Sequence, residues 1–469
     1  MSNTPSIKRN FVYRSILTLS SYVMGFITFP YVSRVLGVEK VGLIDFVDNT
    51  IAYFLLFGTM GVSILGVREI AAVKDNNEDR DRVFSNIFGL NLCFTVIVLI
   101  IYILLVITIP QLRQYPELFY IGSAKILFTL FLAEWFFAGI ENFRYITLRS
   151  VTIKTIYVIS IFLFIKEPGD YKLYFLLTVL SVVLNGLINF IYVSKIVSLD
   201  FKSFFNTVYI KRNFILGAYN IMSAMYLTFN VMFLGLMTNN VQVGYYTTAH
   251  KIYTVTLGFF SAFTNVMMPR MSSLLANGDN DQFRELISKS FRAMCTFALP
   301  IITCTIVLAP QIIYVISGAG YEGAVTPMRI IMPAVLFVGI AQVLAVQVLT
   351  PMKKDKVLFR ASIVGSIVSI SINMAAVSSL ECIGSALVLL CSEMAVTTTY
   401  VIYILRHPVV TIPFESVWKN LMLAIPAIIV CIACKSLLNN PFVIVGIAVP
   451  VAILVWAGVH RCIADKNFV

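Results

Sequence analysis

Six ionisable side chains stand deep inside apolar runs of this sequence: Asp48, Lys125, Glu134, His250, Lys251 and Glu393. A charge near mid-bilayer costs about 2.5–3.5 kcal/mol on insertion scales, so each needs an opposite charge, a proton or a wet cavity. Lys251 and His250 are successive residues, about 100° apart on a helix. Both can border one cleft, where a basic pair suits an anion. Asp45 and Asp48 are one helical turn apart and share a face. Carboxylates placed in this way gate a cavity by pairing with its cation, or exchange a coupling H+ or Na+.

Hairpin geometry predicts partners for some of these groups. Arg34 and Asp45 are about equally far from a turn at Gly37–Lys40 and are expected to meet at one depth. Glu134 and Lys154 are likewise equidistant from a turn near Arg144. Each pair has a structural reading as a helix-to-helix salt bridge. Each also has a transport reading, with Arg34 touching substrate and Asp45 and Glu134 gating. The hairpin counterpart of Asp48 falls near Pro30 and offers no cation. Lys125 faces away from Glu134 on its own helix, and either snorkels to the headgroups or binds substrate. Glu393 has no obvious hairpin partner, and reads as a cation ligand or as a protonated acid. Arg14, with Arg68 and Arg270, lies at the end of a span as an anchor or a substrate-loading group. Pro30, after Gly25, is a candidate hinge or a static kink.

The elements that carry these groups are membrane spans. Of 469 residues 59% are apolar and 12% charged, against about 25% charged in soluble proteins. That excludes a soluble globular protein. Apolar windows fall at 13–36, 42–67, 84–110, 118–140, 147–166, 172–195, 212–237, 243–269, 290–316, 328–350, 358–380, 382–405, 417–438 and 441–461, fourteen in all. The predicted fold is an all-α integral membrane protein. With the N-terminus in the cytoplasm, 26 of the 35 Lys and Arg fall on the inner side and 7 on the outer, and Lys125 and Lys251 lie within spans. This asymmetry predicts both termini inside. The net charge of +12 is thereby assigned to membrane orientation, anionic lipid and an anionic substrate, and no nucleic-acid partner is expected. Cys93, Cys295, Cys304, Cys391 and Cys431 sit in apolar runs and read as small core hydrophobes, as does the Cys431/Cys434 pair.

The sequence also repeats itself. Ile7-Lys8-Arg9-Asn10-Phe11 returns unchanged at 210–214, and at a shift of 202 Val41, Gly42, Arg68, Asp79, Arg82 and Cys93 recur as Val243, Gly244, Arg270, Asp281, Arg284 and Cys295. Six spans separate the copies, so both enter the membrane the same way up. The expected organisation is a six-helix lobe at 1–200, a second at 201–410, and two additional transmembrane helices at 411–469. The two lobes are expected to be pseudo-twofold related by an axis along the membrane normal. The same shift maps Asp48 onto His250 and Asn49 onto Lys251. One lobe therefore carries acid where the other carries base, which makes Lys251 a candidate partner for Asp48.

The stretches FPYVSRVLGVEKVG (29–42), YFLLFGTMGVSILGVREIAAVKDN (53–76), AEWFFAGIENFRYITLRS (133–150) and VGYYTTAHKI (243–252) resemble the bacterial polysaccharide exporters. These are O-antigen and capsule flippases of the multidrug, oligosaccharidyl-lipid and polysaccharide exporter superfamily. The resemblance implies two six-helix lobes around a central cavity, moving an undecaprenyl-diphosphate-linked oligosaccharide from the inner to the outer leaflet of the bacterial cytoplasmic membrane. It also implies membrane lipids and other polysaccharide-assembly proteins as partners.

Other classes fit the residues less well. No Gly is followed by Lys, so a G-x-x-x-x-G-K-[ST] phosphate loop is absent. His250, His407 and His460 are far apart and form no metal motif. No catalytic residue, cofactor or metal is expected. A membrane glycosyltransferase or polymerase would need more acidic chemistry than the predicted outer loops offer, which is Glu39, Glu117, Glu167, Asp170 and Glu322. A cation-coupled drug antiporter of the same superfamily is the nearest rival.

Overall fold

The computed structural model describes residues 7–200, 203, 204, 206–408 and 410–464. They are almost entirely helical, with no strand among the described residues. Ten helical stretches among them are long and apolar enough to cross a membrane. Two of these exceed one crossing. Val12–Thr59 has 48 residues and Asp355–Arg406 has 52, which at about 1.5 Å per residue is more than twice a hydrocarbon core of about 30 Å. Each is broken inside by a residue of positive φ, Gly37 (φ 73°) and Glu381 (φ 51°). The windows 212–237 and 243–269 lie in the helices Thr207–Met237 and Asn240–Asn277, which are not among the ten. The chain forms two compact units, Met1–Met232 and Phe233–Val469.

In the first unit hydropathy alone misplaces two helices. The window 42–67 breaks at Met60 (φ 39°) and Gly61, and the short helix Val62–Val73 follows. A Cβ on Gly61 would lie 2.5 Å from the Asn213 carbonyl oxygen, and one on Gly217 would lie 2.9 Å from the Gly61 nitrogen. The two backbones thus touch where neither position tolerates a side chain. The window 118–140 divides at Ala133 (φ 40°) into Pro116–Leu132 and Glu134–Gly139. The break is sealed by buried Asn189, whose side-chain amide donates to the Leu132 carbonyl. An apolar window cannot reveal such breaks because the residues on both sides remain apolar.

Asn76 caps the helix Asn77–Thr108 by accepting from the Glu78 and Asp79 amides, and Glu78 and Asp79 in the first turn suit the positive end of its dipole. Phe84, Phe88, Trp135, Phe136, Phe137, Ile70 and Ile146 form the buried core beneath it. The segment after the helix Tyr171–Val193 is strapped to the same helix start. Arg80 donates to the Ile196 carbonyl at 2.8 Å, the Ser198 amide to Asp81 at 3.0 Å, and the Asp200 amide to Ser85 at 2.9 Å.

In the second unit, Asn239 caps Asn240–Asn277 through the Gln242 amide, and Gly278 (φ 78°) closes it in a left-handed turn. Arg270 therefore lies within a helix that runs past the sequence window, as Arg68 lies within Val62–Val73. Ala361, Gly365 and Ser369 are buried along Asp355–Ile372, which packs against Ser378–Arg406. Two π-helical turns, Val343–Leu349 and Asn373–Val377, interrupt the α-helices. The helices Ile425–Leu437 and Pro441–Ala464 bury Ala427, Cys431, Ile444, Ala448 and Ala452 against Leu308, with Cys304 and Cys434 beside them. The described cysteines are free thiols, and these three act as small apolar residues.

Candidate functional site

The first unit brings Asp48 and Lys125 together. Lys125 Nζ lies 2.6 Å from Asp48 Oδ1, and the side chains are 12% and 34% exposed. The same ammonium stands 5.0 Å from the centre of the Phe175 ring, so three helices converge on it: the second half of Ile7–Thr59, Pro116–Leu132 and Tyr171–Val193. This corrects the expectation that Lys125 snorkels to the headgroups, and it gives Asp48 a cation within its own unit. The equal depth of the two residues explains the pairing. Asp48 is about two turns beyond the turn at Gly37–Lys40, and Lys125 about two turns beyond the helix start at Pro116.

Tyr157 and Tyr174 lie near each other, within electrostatic reach of Asp48. Tyr102 is fully buried and donates to the Phe119 carbonyl at 2.9 Å. Sequence reasoning did not single out these tyrosines. Nothing in an isolated apolar run distinguishes a Tyr that lines a polar site from one that anchors at an interface.

Glu134 is also paired differently from the hairpin expectation. Its Oε1 accepts from Arg149 Nη2 at 2.9 Å, and Arg149 is 4% exposed while Glu134 is 49% exposed. Lys154 instead donates to Ser21 Oγ. The break at Ala133 puts Glu134 in the first turn of a new helix, which shifts the register that equidistance from the turn assumed. Arg149 lies inside the apolar run 147–166, and the rule that flagged Lys125 would have flagged it too.

The other candidates are distributed as follows. Arg34 is exposed and donates to the Pro30 carbonyl at 2.8 Å. Asp45 is half-buried, and its carbonyl accepts from Asn49 at 2.8 Å. The helix continues through Pro30, and its non-helical residue is Gly37. Arg14 is exposed near the start of this helix. In the second unit His250 is flanked by the rings of Tyr246 and Tyr253, each 5.7 Å away, and Lys251 is half-buried on the same helix. Glu393 is 5% exposed, one turn before Thr397, whose hydroxyl donates to the Glu393 and Phe337 carbonyls. No group of three or more His, Cys, Asp or Glu among the described residues has a metal-binding arrangement.

The comparisons agree on what kind of protein this is. The family model described as "Polysaccharide biosynthesis protein" matches residues 7–275. The "Putative O-antigen transporter" of Escherichia coli (strain K12) is 22% identical over 413 residues, covering 86% of this chain and 98% of the relative. A protein of the same description from Shigella dysenteriae is 21% identical over 370 residues, covering 77% and 91%. Among solved structures, a lipid II flippase MurJ in an inward closed conformation superposes with a TM-score of 0.81 at 16% identity, covering 98% of this chain and 100% of the other. An inward-facing multidrug resistance MATE family transporter of the MOP superfamily gives 0.61 at 13% identity, covering 85% and 98%. These relatives are transporters and flippases, not catalysts. The family match covers more than half of the sequence, so the chain belongs to the polysaccharide biosynthesis protein family, as a multi-pass membrane transporter of the polysaccharide-exporter type.

Proposed function

We propose that this protein flips an undecaprenyl-diphosphate-linked oligosaccharide, the repeat unit of a bacterial surface polysaccharide, from the inner to the outer leaflet of the cytoplasmic membrane. The observation that carries the reading is the match to O-antigen transporters along 98% of the length of one of them. In this reading fourteen helices form lobes at 1–200 and 201–410, with 411–469 as two additional helices and both termini in the cytoplasm. The lobes rock about a central cavity in alternating access. Lys251 with His250 holds the diphosphate, and Arg14 and Arg34 guide the cargo at the cavity ends. Lys125 is a second phosphate contact, whose charge Asp48 balances when the site is empty. Asp45 and Glu134 set the gating, Pro30 is a hinge, and buried Glu393 takes up H+ or Na+.

An anion moving outward is helped by the inside-negative potential, by about 2.3 kcal/mol per charge per 100 mV, so the diphosphate need not be driven by ATP. Membrane lipids surround the protein, and other polysaccharide-assembly proteins receive the flipped product. The test is reconstitution into vesicles with a fluorescent undecaprenyl-diphosphate oligosaccharide. Protein-dependent flipping is expected, lost in Lys251→Ala protein that keeps its thermal stability. The fold shared with a multidrug transporter favours one rival, a cation-coupled drug antiporter. Vesicles that move an organic cation but leave the lipid-linked glycan in place would replace the first reading with the second.

A further inference from the structure

Between the π-helical turn Val343–Leu349 and the helix Asp355–Ile372 the chain turns, and Lys353, Lys354, Lys356 and Arg360 fall close together there with Asp355 as the one acid among them. The Lys353 amide donates to the Thr350 carbonyl at 3.0 Å and the Lys354 amide to the Leu349 carbonyl at 2.9 Å. This bond pattern closes a helix with one residue in the left-handed region, a place that glycine usually fills. Here it is Lys353, at φ 55°. The charges are also unbalanced. Lys356 and Arg360 are one turn apart on the helix that follows, where like charges repel, and Lys356 lies in a first turn whose dipole disfavours a cation. All four basic side chains are exposed, and none has an ion pair or a side-chain hydrogen bond among the described residues. Two other exposed lysines of this unit do have acidic partners one turn away: Lys289 is 2.6 Å from Glu285, and Lys419 is 3.7 Å from Glu415.

Beyond the cations the same helix face becomes apolar. Phe359 is exposed beside Arg360, and Val364 and Ile367, one and two turns further along, are exposed on the same side. Val357, Leu358 and Ala361 are buried around the other side. Cations and apolar side chains thus follow one another along one face of a helix that starts a membrane-spanning stretch, in the order in which a lipid presents its phosphate and its tail. Inorganic phosphate or a nucleic acid would use the cations and leave the apolar residues idle. A zwitterionic phospholipid carries its own cation next to its phosphate, so uncompensated basic charge attracts it weakly. A phospholipid with net negative charge and no amine uses both parts of the face.

We propose that this face binds an anionic phospholipid, with Lys356 and Arg360 at its phosphate, Lys353 and Lys354 adding to the local positive potential, and Phe359, Val364 and Ile367 along its acyl chain. The surface is separate from the residues assigned to cargo. It serves whatever that cargo is, and on whichever side of the membrane the turn lies.

The test uses the full-length protein in detergent, titrated in native mass spectrometry with phosphatidylglycerol and phosphatidylcholine of matched chains, with glycerol phosphate, and with a short single-stranded oligonucleotide. Phosphatidylglycerol is expected to bind about tenfold more tightly than phosphatidylcholine. Lys356→Gln with Arg360→Gln abolishes that preference, at about fivefold per cation removed, and leaves phosphatidylcholine binding unchanged. Lys289→Gln with Lys419→Gln removes the same charge where each lysine already has an acid, and keeps the preference. Lys353→Gly takes away one cation while relieving the left-handed strain, so it raises the melting temperature as it lowers phosphatidylglycerol affinity about fivefold. Weaker binding in that variant cannot come from poor folding. A preference that survives in both Lys353→Gly and the Lys356–Arg360 variant overturns the proposal, as does an equal loss in the Lys289–Lys419 control. Glycerol phosphate binding as tightly as the lipid would overturn it too, since the apolar face would then have no role. So would an oligonucleotide that binds more tightly than phosphatidylglycerol.

Discussion

Lys125 Nζ and Asp48 Oδ1 lie 2.6 Å apart, so a lysine and an aspartate on different helices, neither with a partner across its own hairpin, neutralise each other inside the first unit. Removing one partner strands the other. Lys125→Met and Asp48→Asn are each expected to destabilise the protein by about 1–3 kcal/mol, held below the value for a fully buried pair by the partial exposure of Asp48. The double variant should cost less than the sum of the two singles, because neither charge is left alone. Thermal unfolding of the four proteins measures this coupling. Strict additivity would mean that the contact contributes nothing.

Arg149 and Lys154 separate two accounts of Glu134. Arg149 is 4% exposed and bonded to Glu134, whereas Lys154 is bonded to Ser21. Arg149→Met is expected to lower stability by about 2 kcal/mol or more, and Lys154→Met by about 1 kcal/mol, the value of a single hydrogen bond. The reverse order in a melting experiment would restore the hairpin pairing of Glu134 with Lys154.

How far the sequence reveals this site depends on which physical rule governs each residue. Burial cost singles out Asp48, Lys125 and Glu134, each of which has an ion-pair partner in the structure, because a charge in an apolar run stands out whatever the fold. Partner choice is harder. Equidistance from a turn assumes unbroken helices, and Ala133 breaks the helix that ends at Leu132 immediately before Glu134, so the rule selects Lys154 over Arg149. Lys125 and Asp48 are not hairpin neighbours, and only their common depth links them in sequence. The helical class was legible because apolar content and period survive local breaks, whereas Met60–Gly61 and the π-helical turns leave no hydropathy signal.

Gly61 and Glu381 test the backbone. A Cβ on Gly61 would lie 2.5 Å from the Asn213 carbonyl oxygen, a backbone atom that no rotamer change can move aside. Gly61→Ala is expected to cost about 1–3 kcal/mol. Glu381 holds φ 51° without being glycine, so Glu381→Gly is expected to raise stability by up to about 1 kcal/mol, as relieved strain outweighs added chain entropy. Unfolding midpoints of both variants check the pair. A neutral Gly61→Ala would mean that the helices do not approach this closely.

The proposed orientation places Gly169 outside and Asn280 inside, and both residues are exposed in the structure. A charged, membrane-impermeant maleimide added to intact cells should label Gly169→Cys and not Asn280→Cys, which should react only after the membrane is opened. Labelling of Asn280→Cys in intact cells would invert the topology, and with it the direction assigned to the basic residues.

The last prediction asks whether the Asp48–Lys125 pair is only a brace. Exchanging the charges, Asp48→Lys with Lys125→Asp, re-forms an ion pair at the same place and should recover most of the stability lost in either single variant. If the pair only holds helices together, transport should recover with it. In the proposed mechanism Lys125 also offers its ammonium to the diphosphate, and that ammonium stands on Pro116–Leu132, 5.0 Å from the Phe175 ring. The exchange moves the charge to the helix that carries Asp48, away from this ring. Stability should therefore return while glycan flipping stays low, and the apparent affinity for the lipid-linked substrate should fall more than its maximal rate. Full recovery of both would leave Lys125 a brace and shift the task of holding the diphosphate to Lys251 and His250. Recovery of neither would mean that the surroundings of the pair, including Tyr157 and Tyr174, are fitted to one polarity. In that case the pair would resemble a wired electrostatic site more than an interchangeable salt bridge.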